Sequence, residues 1–258
     1  MNKVKHLILL AAICAASLFI VQSAAAANPG DVVCSGAFPV SFSGTARNLI
    51  VKDQELGYGN CFVDGATITH DVIVEEDGYV ALSNTTIGHD IVATKPQIVN
   101  TGFTEDGGGP VTVGHDVVID GPLTDPFGNH TGDADINDLT VGHDLRITNL
   151  RADFEVGASN DDVGHDLVVS GNTTGICCGF GPITVGDNKV GHDLTVTNNT
   201  APGGDFGWIS VFENNVKHDA TCAGNSPPES KNTPAEIGWF GRLVGPNVVG
   251  HHDSCDSD

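Results

Sequence analysis

The stretch Val141-Gly142-His143-Asp144-Leu145 is written again as Val163-Gly164-His165-Asp166-Leu167 and as Val190-Gly191-His192-Asp193-Leu194. Variants extend the series at Thr69-His70-Asp71-Val72, Ile87-Gly88-His89-Asp90-Ile91, Val113-Gly114-His115-Asp116-Val117 and Val216-Lys217-His218-Asp219-Ala220. A disturbed copy, Val249-Gly250-His251-His252-Asp253, closes it. From His70 onward the pairs stand 19, 26, 28, 22, 27 and 26 residues apart. A catalytic motif is needed once, so repetition points first to architecture. A period in the twenties is that of a solenoid, in which each repeat buries its apolar face only against its neighbours.

Around each pair the alternation is that of a strand. Two residues before His stands Ile68, Ile87, Val113, Val141, Val163, Val190 or Val216; two after it stands Val72, Ile91, Val117, Leu145, Leu167, Leu194 or Ala220. Period two with β-branched residues argues against helix. The fold expected is all-β, a single right-handed parallel β-helix of about seven coils with looped inserts, Thr124 to Asp138 and Thr200 to Gly207 among them. Coils stacked at about 4.8 Å make a rod of roughly 30 Å. A straight strand through the motif buries His, and an unsatisfied buried polar group costs on the order of 1–3 kcal/mol. A corner at Gly-His-Asp avoids this: Gly takes the strained backbone angle, Asp caps backbone N–H groups, and His points outward.

The first 27 residues read as a signal peptide, with Lys3 and Lys5, an apolar run from Leu7 to Val21, and Ala25-Ala26-Ala27 as cleavage site. Residues 28–69 are expected to form an N-terminal cap and first coil, 70–225 the solenoid repeats, and 226–258 a C-terminal cap. Export places the chain outside the cell or in a periplasm, with no membrane span after signal cleavage. Without the leader, 9 basic residues face 33 acidic ones, a net charge of −24. That field repels nucleic acid, excluding it as a partner, and favours cations. Six cysteines remain; their clustering suggests end clamps, Cys34 with Cys61 and Cys222 with Cys255, leaving the adjacent Cys177 and Cys178 undetermined.

Cys34-Ser35-Gly36-Ala37-Phe38, then Ala46-Arg47-Asn48-Leu49-Ile50-Val51, then Asn60-Cys61 through Gly65-Ala66-Thr67-Ile68-Thr69-His70-Asp71-Val72 resemble secreted bacterial β-solenoid proteins common in actinobacteria. Those proteins open with a cysteine pair, an NLVV strand and a GATVTGNV coil. They continue with VGGN or VGGD repeats and close on a GNLTC segment and a final cysteine. Here the close is Val216 to Asn225, followed by Asn247 to Cys255. The resemblance covers nearly the whole mature chain and implies a right-handed β-helix, export and no assigned activity. This chain departs from it by placing histidine in every coil where the family shows a second glycine.

That departure makes the His column the sharpest candidate site. Imidazoles on adjacent coils, His115, His143, His165 and His192 foremost, each beside a carboxylate, suit Zn²⁺ or Cu²⁺ at bonds of about 2.0–2.1 Å. The alternative is a stacked corner residue propagated by duplication, since no compact set such as H-x-x-x-H is present. Imidazoles also charge near pH 6.5, so the column can respond to pH. Asp133-Ala134-Asp135-Ile136-Asn137-Asp138 alternates oxygen ligands as a Ca²⁺ loop does, but lacks the glycine at the sixth position and the glutamate at the twelfth, where Asp144 falls. Sequons at Asn84, Asn129, Asn172 and Asn198 fit exposed turns. Enzyme chemistry has little support: G-x-S-x-G is absent, and no unique constellation of carboxylates and arginines stands out. A non-catalytic structural or surface-binding protein is expected, with a polysaccharide or cell-surface ligand as partner. A carbohydrate-active enzyme on a β-helix is the competing class.

Overall fold

The computed structural model describes residues 29–35, 39–52, 61–102, 108–121, 132–176, 181–202, 207–227 and 245–255. Their strands form three parallel sheets. The first has nine strands: Val32–Cys34, Leu49–Val51, Val72–Val74, Ile91–Thr94, Val117–Asp120, Leu145–Thr148, Leu167–Ser170, Leu194–Thr197 and Ala220–Ala223. The second has eight, from Val40–Phe42 to Ile209–Phe212, and the third nine, from Thr45–Ala46 to Val248–Val249. Neighbours within a sheet lie three strands apart in the chain, except the last pair of the third sheet, Asn215–Val216 with Val248–Val249, which lie two apart, so the chain visits the sheets in rotation. This is a parallel β-helix. The strands of each sheet outnumber the seven His-Asp corners, five of them Gly-His-Asp, because a coil precedes the first and another strand follows the last. No helix among the described residues is long and apolar enough to cross a membrane.

In-register stacking turns the period-two pattern into columns. Ile91, Val117, Leu145, Leu167, Leu194 and Ala220 pair in sequence across the first sheet, and all six are fully buried. Each such aliphatic side chain removed from water contributes about 1.5–3 kcal/mol. The Cys34–Cys61 and Cys222–Cys255 disulfides clamp the two ends as expected. Each restrains the unfolded chain by on the order of 3–4 kcal/mol. Cys177 and Cys178 lie outside the described residues, as do the leader and Asn129.

The three corners differ. Between the first and second sheets the chain turns through left-handed residues, Lys95, Gly121, Asn149, Gly171, Asn198 and Gly224; between the second and third it uses Asn84, Asp138, Asn160, Asp187 and Glu213. Inside these two corners run buried asparagine ladders. Asn172, Asn199 and Asn225 form one; Asp161, Asn188, Asn214 and Asn247 form the other. Each asparagine rung accepts a backbone N–H from the coil before it and donates its amide to a carbonyl there, as Asn188 does to Ala158 O at 2.9 Å; Asp161 only accepts, from Leu139 N–H. Asn172 is thus fully buried with both ends of its amide engaged, not exposed as its sequon suggested.

The third corner is Gly-His-Asp, and its glycines have no positive φ. Glycine is there for closeness: a Cβ on Gly114, Gly142 or Gly164 would stand 2.2 Å from the carbonyl oxygen of the glycine one coil below. Lys217 occupies the same place. Thr69 stands there too, and both keep the backbone bond, at 3.1 Å to Val190 O and 2.9 Å to Ala46 O, so the place admits a side chain on those coils.

The described end of one insert proves to be a strand. Asp133–Asn137 lies in the middle of the second sheet, with Ala134 and Ile136 in the core and Asp133, Asp135 and Asn137 facing out. An extended strand points alternate side chains along one line and cannot curl them around an ion, so the Ca²⁺-loop reading does not hold.

Candidate metal centre

The Gly-His-Asp corners stack into one continuous ladder on the outside of the coil. Glycine carbonyl packing brings the coils close, and the backbone amide of each His donates to the carbonyl of the His below, as His143 does to His115 and His165 to His143. Successive imidazoles from His89 through His115, His143, His165 and His192 to His218 stack with ring centroids 5.4, 5.2, 4.8, 4.7 and 4.7 Å apart and planes within 11°. His251 ends the column edge-on, 4.2 Å from His218 at 67°. The sequence candidates His115, His143, His165 and His192 are therefore neighbours. At the foot, His70 meets Thr69 Oγ1 instead, because Asn48 stands where the coil below would supply an aspartate.

Aspartate builds the other half. Asp116 Oδ1 accepts the N–H of Asp144 at 3.0 Å, and the same bond recurs from Asp71 to Asp193. So the aspartate caps the next coil's backbone, not its own. Each imidazole Nδ1 then lies between two carboxylates, its own and that of the coil below. For His115 the distances are 3.1 Å to Asp116 and 3.2 Å to Asp90; for His218 they are 3.5 Å to Asp219 and 2.8 Å to Asp193. An ionised carboxylate only accepts, which places the ring proton on Nδ1. Side chains of the stacked histidines are 38–59% exposed, so solvent reaches the whole ladder.

The electrostatics are uneven along it. Burial alone would raise Asp144, but Arg146 Nη2 at 2.7 Å and the Asp166 N–H hold it below the ordinary carboxylate value. Asp193, against a slight burial effect, is lowered by the Asp219 N–H and His218.

These groups can hold metal ions. Five His-Asp-His sets, from His89-Asp90-His115 to His192-Asp193-His218, keep their donor atoms within 4.8 Å of one another. Two bonds of about 2.0–2.1 Å span at most about 4.2 Å. Nδ1-to-carboxylate separations of 2.8–3.5 Å fall within that span, and with ring centroids 4.7–5.4 Å apart two imidazoles share one ion by tilting toward the carboxylate between them. The chelating side of the ladder is thus its inner, carboxylate side.

A second polar group lies on the outer face of the second sheet. Burial pushes Asp133 up to about 6 and raises Asp135; burial, with the charges of Asp135 and Asp133, pushes Glu155 up to about 7. An added Cβ at Gly157 would stand 3.4 Å from a carboxylate oxygen of both Asp135 and Glu155. Sequence reasoning missed Glu155, which carries no periodic mark; only the Ala134–Val156 register brings it beside Asp133. Comparison of the chain with protein-family models, curated proteins and solved structures returns no match.

Proposed function

We propose that the chain is an exported, non-catalytic binding solenoid that takes up divalent transition-metal ions, Zn²⁺ or Cu²⁺, along its His-Asp ladder. The observation that carries this reading is the placement of every Nδ1 from His89 to His218 between two carboxylates. On binding, the imidazole moves its proton to the solvent-facing Nε2 and offers Nδ1 to the ion. The carboxylate column supplies the negative charge that a cation offsets. The backbone does not need imidazole at this place, since the resembling family carries glycine there. The basic-apolar leader and the two disulfides support an extracellular or periplasmic setting, and the resemblance to secreted actinobacterial solenoids supports the same. Calorimetric titration with zinc tests the reading. Replacing His89, His115, His143, His165, His192 and His218 by Gln is expected to abolish binding while the fold persists; equal binding by both proteins overturns it.

A carbohydrate-active enzyme is the second reading, favoured by the Asp133, Asp135 and Glu155 group. Two carboxyls titrating at about 6 and about 7 suit acid–base work on a glycosidic bond. Release of reducing ends from a panel of acidic and neutral polysaccharides, lost in Glu155→Gln, is the outcome it requires.

A further inference from the structure

The six stacked imidazoles tile into three sets that share no ligand: His89-Asp90-His115, His143-Asp144-His165 and His192-Asp193-His218. The outer two are alike. At Asp90, His89 meets Oδ2 at 2.9 Å and His115 meets Oδ1 at 3.2 Å. At Asp193, His192 meets Oδ2 at 3.4 Å and His218 meets Oδ1 at 2.8 Å. Each carboxylate oxygen faces one imidazole. The middle set is built differently. His143 and His165 both turn to Asp144 Oδ1, at 3.3 and 3.2 Å, as His165 and His192 do at Asp166, but at Asp144 alone the free oxygen, Oδ2, is taken by an arginine, Arg146 at 2.7 Å.

Arg146 is foreign to its column. The same outward place on neighbouring coils is held by Ile73, Val92, Val118, Val168 and Thr195. Its guanidinium covers the Asp144 side chain, which is 9% exposed against 22% for Asp90 and 36% for Asp193. The positive charge also acts on Asp166 and Asp116, the centres of the two offset sets. A cation approaching the middle of the ladder meets a carboxylate already paired with a permanent cation, in a bond an arginine does not surrender by losing its proton.

We infer that Arg146 plugs the centre of the ladder, so the chain holds two divalent cations, one at His89-Asp90-His115 and one at His192-Asp193-His218. This rests on the ladder being a metal site. It adds the stoichiometry, the ligands and the residue that sets them. The spacing has a use: two sites centred four coils apart, at Asp90 and Asp193, repel each other weakly at physiological salt, where the Debye length is about 8 Å.

Zinc bound per chain after equilibrium dialysis tests this, read by elemental analysis. The wild type is expected to hold two ions. Arg146→Val, which installs the residue that Val118 and Val168 already carry on adjacent coils, is expected to hold three. Arg146→Lys, which keeps the charge, is expected to stay at two. His143→Gln with His165→Gln leaves two, whereas His115→Gln with His192→Gln removes both. Three ions in the wild type, two in Arg146→Val, or loss of zinc from the His143/His165 double variant overturns the role of Arg146 while leaving the ladder a metal site. No zinc in any of these proteins overturns both readings.

Discussion

Two kinds of ladder run up this molecule, and they teach opposite lessons about repetition. The asparagine ladders are buried and closed. Asn214 Oδ1 takes the N–H and the side-chain amide of Asn188, while its own Nδ2 reaches Val185 O and Asn247 Oδ1. Remove a rung and backbone groups are left dry without partners. The His-Asp ladder is open to water on its histidine side, and only its aspartate half bonds to the backbone. Its imidazoles are repeated more faithfully in sequence, yet the fold leans on them less. Regularity that the backbone does not require is what makes the outer ladder a candidate for function.

The comparison can be broken most forcefully at Asn214. Asn214→Ala is expected to lower stability by about 3–5 kcal/mol, because at least two buried backbone groups lose their partners. Denaturant unfolding measures it, and a loss under about 1 kcal/mol would erase the contrast. Gly142→Ala comes next. Its Cβ meets Gly114 O, but Thr69 and Lys217 carry side chains at the same place on other coils, so about 1–3 kcal/mol is expected from the same measurement.

Asp161 sharpens the buried side. It occupies an asparagine rung, its Oδ2 is buried with no partner among the described residues, and burial raises its pKa well above the ordinary value. By register, a side-chain amide here would face Ile136 O as Asn188 faces Ala158 O. Asp161→Asn is expected to stabilise the protein by about 1–2 kcal/mol at neutral pH. A melting temperature that fails to rise would count against the ladder register.

Acid titration probes the second sheet. Asp133 and Glu155 have folded pKa values raised to about 6 and about 7, so between about pH 4.5 and 7 the folded state binds more protons than the unfolded one. Their contribution to stability is therefore full below about pH 4 and is lost as pH rises through 6 and 7. Glu155→Gln is expected to flatten that slope in a melting-temperature series. The smallest effect belongs to the outer ladder: His165→Gln is expected to stay within about 0.5 kcal/mol of wild type without metal. A loss of 2 kcal/mol there would make the imidazoles structural after all.

Much of the architecture was legible because the buried columns of Val, Ile and Leu print themselves as period two beside each His-Asp pair. The outward corner followed from the penalty for burying imidazole. Other features were hidden for identifiable reasons. The strand Asp133–Asn137 offers only Ala134 and Ile136 to the core, and its polar outer half reads as a loop. Asn172 carries a turn residue's identity but lies inside the corner, because the left-handed Gly171 before it directs the next side chain inward. Arg146 carried no motif; its meaning appears only when stacking sets it among valines and against Asp144. Single-chain patterns reveal what repeats, whereas the interruption of a column needs the register.

The cross-coil aspartate bond has a direction. Asp116 offers an acceptor upward to the amide of Asp144, and Asp144 does the same for Asp166, so at this corner each coil presents carboxylate oxygens to its successor, whereas the asparagine corners present backbone amides. A polypeptide delivered from its amino end meets, at each His-Asp corner, a carboxylate already placed to receive the next amide. Growth in that sense is templated one storey at a time, and a coil cut from the middle would have a top and a bottom that are not interchangeable.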